Sequence, residues 1–471
     1  MAAPSAMEDR RPKPTLTRLA VGRLEKLRSC ELKAEVREKA VQCLIDYLGA
    51  LVTGLSATWS ASLLQYAEVV SPSKGSSHVM GLNSTLSAEV AAFTNAALAH
   101  SIIRDDMHLS AGAHIGVMVM PAALALAQRE RWTGDQLLRS IVGGYEMAVM
   151  LGSSVRHSGT CNPHFRPSGI IGAFGATAVG IVGDPCMTID QATSALGFGA
   201  NMAAGLNEWP WAGGQEINTH MGISSRSGIA SYDLAKAGMV SSGSVLEGKD
   251  GLFQAYNCGP GAVDRFRDFV AESSLGFGIM GVKFKPIAGC NLIQTPVAAA
   301  LRLYKHLAGS SQKIERVVIV TTTVAKEYPG CDSLGPFEKI QQTKMSLQYS
   351  VSAALLFGRI DEHAYRQYNN ANLERLIQRC NIQTSREYDQ ELAQGRQPCR
   401  VEIHMEGGGT HQHSLADVPW LDSKAVEDRF RQEAPALYDA SIVESLLAEC
   451  YGLGSTADCK SLFELLGCRK T

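Results

Sequence analysis

The chain has no apolar run long enough to cross a bilayer comfortably. Its longest, Gly169 to Gly183, is dense in glycine and alanine and reads as a buried helix closely packed by its neighbours. It has no excess of either charge, with 44 Lys and Arg against 46 Asp and Glu, so nothing global draws it to nucleic acid or to an anionic membrane. The 12 cysteines are scattered singly, without a C-x-x-C pair or zinc-ligand spacing. That argues against a disulfide scaffold and for a reduced, cytoplasmic protein whose thiols are mostly small buried hydrophobes. The first twenty residues lack the apolar core of a signal peptide, and the early acids Glu8 and Asp9 argue against a mitochondrial leader. Glycines at helical spacing in "GAFGATAVG" follow no strand and precede no Lys-Ser/Thr, which excludes the dinucleotide and P-loop fingerprints. What remains is a 471-residue chain of ordinary composition, long enough for two domains and suited to small-molecule chemistry without a nucleotide cofactor.

From about Thr15 to Val270 the text is helical, with apolar residues at three- and four-residue spacing and short Gly/Ser/Pro loops. Thr133-Gly-Asp-Gln136 and Thr188-Ile-Asp-Gln191 both fit the capping box. The pattern then turns β-branched or alternating in "KIERVVIVTTTVAKEY" and "CRVEIHMEGGGTHQHSL", the second broken by a Gly407–Gly409 hairpin turn. Helices are expected from an N-cap at Thr295 to Gly309 and over Lys344 to Phe357. The predicted fold is therefore mostly α: a large all-helical domain over 1–274, a smaller α+β lid over 275–418, and C-terminal helices over 419–471 that rejoin the first domain. No internal repeat or low-complexity tract is present.

The chemistry concentrates in "ALAHSIIRDDMHLSAGAHIGVMVMPAALALA", where His100, Asp105, Asp106, His108 and His114 interrupt an apolar segment. Burying such groups costs several kcal/mol unless they are paired, so the stretch is a candidate active-site loop. A carboxylate beside an imidazole orients it as a general acid or base; the plainer alternative is that Asp105 or Asp106 caps the following helix. The spacing matches no metal-ligand pattern, and no metal is expected. His411 and His413 share one face of the predicted hairpin, where a solvated polar face accounts for them. Arg166 before the Gly-rich helix, and Lys283 and Lys285 flanking Phe284, are candidate carboxylate holders near a domain junction. Cys290 lacks an assignable His partner and reads as a buried thiol rather than a nucleophile.

The acid-and-histidine segment, ending in a V-x-P-A helix, resembles the signature of the MmgE/PrpD family, which holds 2-methylcitrate dehydratase and cis-aconitate decarboxylase. Further likeness runs through "CLIDYLGALVTG", "HMGISSRSGIASYDLAKAGMVSSGSVLEGKDGLFQAY", "VKFKPIAGCNLIQTPVAAAL", "KMSLQYSVSAALLFGRID" and "CRVEIHMEGGG", with several segments nearer to fungal cis-aconitate decarboxylases than to bacterial dehydratases. The resemblance implies a cofactor-independent homodimer with a helical domain, an α+β lid and a site between them, dehydrating or decarboxylating small polycarboxylates. Carried over by position, His114 is the principal acid/base, Asp105 or Asp106 orients it, and Tyr349 on the lid helix donates a proton or hydrogen bond. His100, Ile103, His108, Arg166, Ile217, His220, Lys283 and Cys290 then line the substrate. Ile103 stands where the family usually carries Asp or Glu, Arg166 where decarboxylases carry His, and Ile217 where Lys is usual; Cys290 and Gln294 occupy places where His is often found.

An isoleucine neither clamps a carboxylate nor moves a proton, so a less polar pocket is expected, for a larger, more apolar substrate with one anionic or carbonyl group. The expected function is a lyase retuned away from cis-aconitate. A cyclase or isomerase of a secondary-metabolite pathway is the alternative, and a non-catalytic paralogue the second alternative.

Overall fold

A computed structural model of the protein describes residues 13–156, 162–272, 274–307 and 309–470; Glu8 and Asp9, on which the leader argument rests, lie outside them. The helical body is built on Ala34–Gly54, Gly116–Glu130, Gly134–Arg156, Pro167–Gly183 and Glu216–Lys236. Both capping boxes form: Thr133 Oγ1 accepts from the Gln136 N–H at 3.1 Å while Gln136 Oε1 accepts from the Thr133 N–H at 2.9 Å, and Thr188 and Gln191 repeat the exchange at 3.2 and 3.0 Å.

The Gly-rich helix is buried from Ser168 to Gly183. Small residues let its backbone meet that of Glu216–Lys236, since a Cβ on Gly228 would stand 2.3 Å from the Ala176 Cβ. This contact brings together the N-terminal ends of both helices, and with them Arg166, Ile217 and His220.

Two small ladders interrupt the helical body. Ser77–His78 pairs with Thr85–Leu86, and Met107–His108 pairs antiparallel with Val282–Lys283, tying the acid-and-histidine loop to the segment that leads into the lid. The lid is a four-stranded sheet in the order Cys380–Thr384, Ile314–Thr321, Cys399–Met405, Thr410–Leu415, with the first pair parallel and the rest antiparallel. The helices Gln294–His306 and Leu347–Phe357 pack against it. The parallel strand Cys380–Thr384 is not foreseen in the sequence, because five residues with two buried positions carry too little periodicity.

Two helix starts differ from expectation. Gln294, not Thr295, opens its helix, and the Thr295 hydroxyl instead donates to the Gln397 carbonyl at 2.7 Å. The stretch 344–357 breaks at Ser346, whose hydroxyl caps the second helix by accepting the Tyr349 N–H at 3.0 Å.

The domain junction also differs. Ile279, Val282 and Phe284 pack into the body core, whereas Cys290 and Ile293 belong to the lid core. Trp59, Ile103, Trp209 and Ile217 of the body are part of the lid's cluster, so the junction is a packed apolar seam. After it, Ser423–Glu433 and Ala440–Gly452 return to pack on Ala34–Gly54. No helix among the described residues is long and apolar enough to cross a membrane.

The close helix approach gives a direct test. Gly228→Ala is expected to destabilise by about 1–3 kcal/mol in denaturant unfolding, the cost of overpacking a rigid contact. Gly452→Ala, where an added Cβ meets nothing within 4 Å, should be neutral or slightly stabilising.

Candidate active site

The helix Ala88–Ala99 ends at His100, and the chain then turns sharply through Ile103, whose φ of +58° lies in the left-handed region. A β-branched residue is strained there and persists only where its surroundings hold it. They do so at one atom: the Ile103 carbonyl accepts from Lys285 Nζ at 2.6 Å and from the Gly289 N–H at 3.0 Å. The next residue anchors the loop from the other side. Arg104 donates to Asp46 Oδ1 at 2.9 Å and to Glu433 Oε2 at 2.7 Å. Arg429 joins the same Asp46 oxygen and donates to the Lys285 carbonyl at 2.6 Å.

Between these two grips the acid pair diverges. Asp106 turns away from the histidine rings: its Oδ1 accepts the Gly116 N–H at 3.0 Å and its Oδ2 the Tyr145 hydroxyl at 2.6 Å, so it caps the helix Gly116–Glu130. Burial, joined by Asp46 and Asp105 against the hydrogen bonds from Tyr145 and Gly116, raises its carboxyl to about 7. Asp105 turns the other way, towards two imidazoles. Its Oδ1 lies 3.0 Å from His100 Nδ1 and its Oδ2 lies 2.9 Å from His114 Nδ1. The His114 N–H is directed at the Asp106 carbonyl oxygen, also 2.9 Å away, so the second carboxylate contact is electrostatic.

These bonds fix tautomers. Arg166 Nη2 donates to His100 Nε2 at 2.8 Å, so His100 carries its proton on Nδ1, facing Asp105. His114 likewise holds a proton on Nδ1 and presents a bare Nε2. Burial, against the opposing pull of Asp105, pushes His100 down to about 3 and His114 below its ordinary range, so both are neutral near pH 7. Burial alone would raise Asp105, but His100, His114 and Lys285 hold it well below the carboxylate range. The product is an ionised carboxylate between two neutral rings whose centroids are 5.0 Å apart.

Arg166 is buried just before Pro167–Gly183; it donates to the Ile217 carbonyl at 2.8 Å and lies 5.5 Å above the Trp209 ring. His220 follows one helical turn from Ile217, and its buried Nδ1 has no hydrogen-bond partner. Burial and then Arg166 push it to about 4. Among the described residues, neither Arg166 nor the wholly buried Lys285 is paired directly with a carboxylate. Donor atoms of His100, Asp105 and His114 lie within 4.8 Å of one another, as metal ligands would. Two adjacent cations and the hydrogen bonds already held by both Nδ1 atoms make the set better suited to moving a proton.

The structure thus brings together His100, Ile103, Asp105, His114, Arg166, Ile217, His220 and Cys290. It leaves out four of the residues proposed from sequence. Asp106 is the helix cap just described. His108 accepts the Ala111 N–H at 3.3 Å and bonds to the Gly278 backbone, holding the loop to the body. Lys283 is exposed. Tyr349 donates to the Ala364 carbonyl at 2.8 Å and packs among Phe337 and Tyr365 in the lid core.

Of the two candidate lysines, Lys285 is the one that reaches the site. One residue is gained. Tyr328 follows the first lid strand, outside any motif; burial raises its hydroxyl while Arg166 opposes, and Cys290, Cys331 and the Asn207 amide are its other neighbours. The sole signal for it was its place after a β-branched run.

A family model described as the MmgE/PrpD N-terminal domain matches residues 23–263, and one described as the MmgE/PrpD C-terminal domain matches 288–429. The chain belongs to the MmgE/PrpD family. Similar curated proteins are the cis-aconitate decarboxylase-like protein oryM of Aspergillus oryzae, 21% identical over 97% of this chain and 98% of its own. The cis-aconitate decarboxylase of Homo sapiens is 25% identical over 92% and 91%. Membership and these relatives support an enzyme of lyase type.

The tautomers are open to direct observation. Nitrogen-detected NMR of the imidazoles should find His100 neutral and His114 predominantly neutral, both protonated on Nδ1, at pH 6.5, where an unperturbed histidine is half charged. Asp106→Asn, which keeps an acceptor for Gly116, should unfold near the parent, whereas Asp106→Ala should cost about 1–3 kcal/mol.

Proposed function

We propose that this MmgE/PrpD member is an acid/base lyase for a substrate with one carboxylate, or one enolisable carbonyl, on an otherwise apolar frame. One observation carries the reading: Arg166 and Lys285 are buried beside Asp105, and among the described residues neither is in direct contact with a carboxylate. A buried cation without an ion-pair partner is costly until an anion joins it. A tricarboxylate would bring three negative charges to a pocket walled by Ile103 and Ile217.

His114 Nε2 is the base. It removes a proton from the carbon next to the carboxylate or carbonyl, and Asp105 stabilises the imidazolium that forms. Arg166 faces the charge that develops on the substrate oxygen, in a site where burial strengthens the attraction. In a dehydration Tyr328 supplies the proton that leaves with the hydroxyl group. In a decarboxylation the C–C bond breaks without that deprotonation, carbon dioxide leaves, and the carbon takes up a solvent proton relayed through His114. Ile103, Ile217, Trp209 and Cys290 form the apolar side of the site. That wall also favours a second reading, a cyclase or isomerase in which the same proton transfer occurs with no leaving group.

The test is turnover of a panel of unsaturated and hydroxylated acids carrying one to three carboxylates. Monoacids with apolar tails should outpace cis-aconitate and 2-methylcitrate, and His114→Gln should lower the preferred rate by roughly 10²-fold or more. Brisk turnover of cis-aconitate, or a rate untouched by His114→Gln, contradicts the proposal.

A further inference from the structure

The helix Gly134–Arg156 carries one group that bears on the site without lining it. Tyr145 is fully buried at the middle of that helix, and its hydroxyl donates to Asp106 Oδ2 at 2.6 Å. The Gly116 N–H holds the other carboxylate oxygen at 3.0 Å. The three groups close so tightly that a Cβ on Gly116 would stand 2.8 Å from Tyr145 Oη and 3.0 Å from Asp106 Oδ2. A carboxylate gripped at both oxygens fixes its own backbone, and that backbone is what His114 contacts. The Asp106 carbonyl takes the His114 Nδ1–H at 2.9 Å, while the Ser168 hydroxyl accepts the His114 backbone N–H at 3.2 Å.

The carbonyl is not the acceptor that chemistry alone selects. Asp105 Oδ2 lies at the same 2.9 Å from the same nitrogen, is buried, and accepts no hydrogen bond among the described residues. A charged acceptor holds an N–H more strongly than a neutral one, and a buried oxygen left unpaired is costly. The proton stays on the carbonyl because the carbonyl is held in line with the N–H, and that hold runs back through Asp106 to Tyr145.

We propose that Tyr145 is a positioning residue for His114: through Asp106 it keeps the ring's Nδ1–H on a neutral carbonyl and off the Asp105 carboxylate. Turning Nδ1–H to Asp105 swings the ring and takes Nε2 off its line, and an anionic acceptor raises the ring's affinity for a second proton. Tyr145 thus keeps the ring both aimed and neutral. The consequence for turnover rests on the proposed function, in which His114 Nε2 is the base; the consequence for the ring does not. The charged and titratable groups facing His114 are Asp105, His100, Lys285 and Arg166, and those around the Tyr145–Asp106 bond are Asp46, Asp105 and Cys43. Loss of that bond also favours the neutral form of Asp106, which lowers the ring's proton affinity, so a rise reports the change of acceptor.

The experiment is NMR of the histidine-labelled full-length protein, parent against Tyr145→Phe, whose ring fills the same space. The His114 Nδ1–H proton is expected to move downfield, as in a charge-assisted bond, and the ring's titration midpoint to rise by about one pH unit, roughly a tenfold gain in proton affinity. Should Tyr145→Phe fail to fold, Asp106→Ala severs the same link at its other end, and the same two changes are expected. A signal that stays at the parent's position, or a midpoint that does not rise, in the folded variant overturns the proposal. With the preferred acid, kcat is expected to fall about tenfold while KM changes by less than about twofold, the mark of a misaimed base. A shifted ring with lowered kcat supports both readings. A shifted ring with unchanged kcat upholds Tyr145 as the positioning residue and defeats His114 as the base.

Discussion

Everything at this site depends on one buried carboxylate shared by two imidazoles. Asp105 could not remain ionised at 1% exposure without partners, and the partners it has determine what each ring does. His100 spends both nitrogens, one on Asp105 and one on Arg166, and so transmits the position of the guanidinium to the carboxylate. His114 spends one nitrogen and keeps the other. The difference between a structural histidine and a proton carrier here is one hydrogen bond.

Holding that arrangement takes charge and strain from outside it. Asp46, Arg104, Arg429 and Glu433 form a balanced ionic group that fastens the loop on one side, reaching from Ala34–Gly54 to Ser423–Glu433. On the other side Lys285 and Gly289 hold the carbonyl of Ile103 in a conformation that an isoleucine disfavours. The C-terminal tail therefore has a part in the chemistry without touching it: Arg429 grips the Lys285 carbonyl, and Lys285 grips the loop. Because Ile103 also packs into the lid core, the strained turn is the point where body, lid and site meet.

Much of this was legible in the sequence where a local rule applies. The capping boxes at Thr133 and Thr188, the hairpin across Gly407–Gly409 and the long helices were readable because side-chain period and cap chemistry are short-range. The acid-and-histidine segment was conspicuous because charges in an apolar run need a reason. Illegible were the features decided by direction rather than by residue type. Asp105 and Asp106 are adjacent and chemically identical, and only backbone geometry sends one to the histidines and the other to a helix end. Lys283 and Lys285 are likewise separated by where the short strand stops. Tyr349 matched by position, yet its hydroxyl belongs to Ala364, while Tyr328 carries no motif and reaches the site through the lid's topology.

The central claim is that Asp105 sets both the tautomers and the charge that the site will accept. Calorimetric binding of mono-, di- and tricarboxylates of equal carbon number to the parent and to Asp105→Asn tests it most directly. The account predicts that the parent binds the monocarboxylate best and that Asp105→Asn, with one buried negative charge fewer, shifts the preference to the dicarboxylate by roughly tenfold or more. A parent that binds the tricarboxylate tightest, or a preference that Asp105→Asn leaves unchanged, would contradict it.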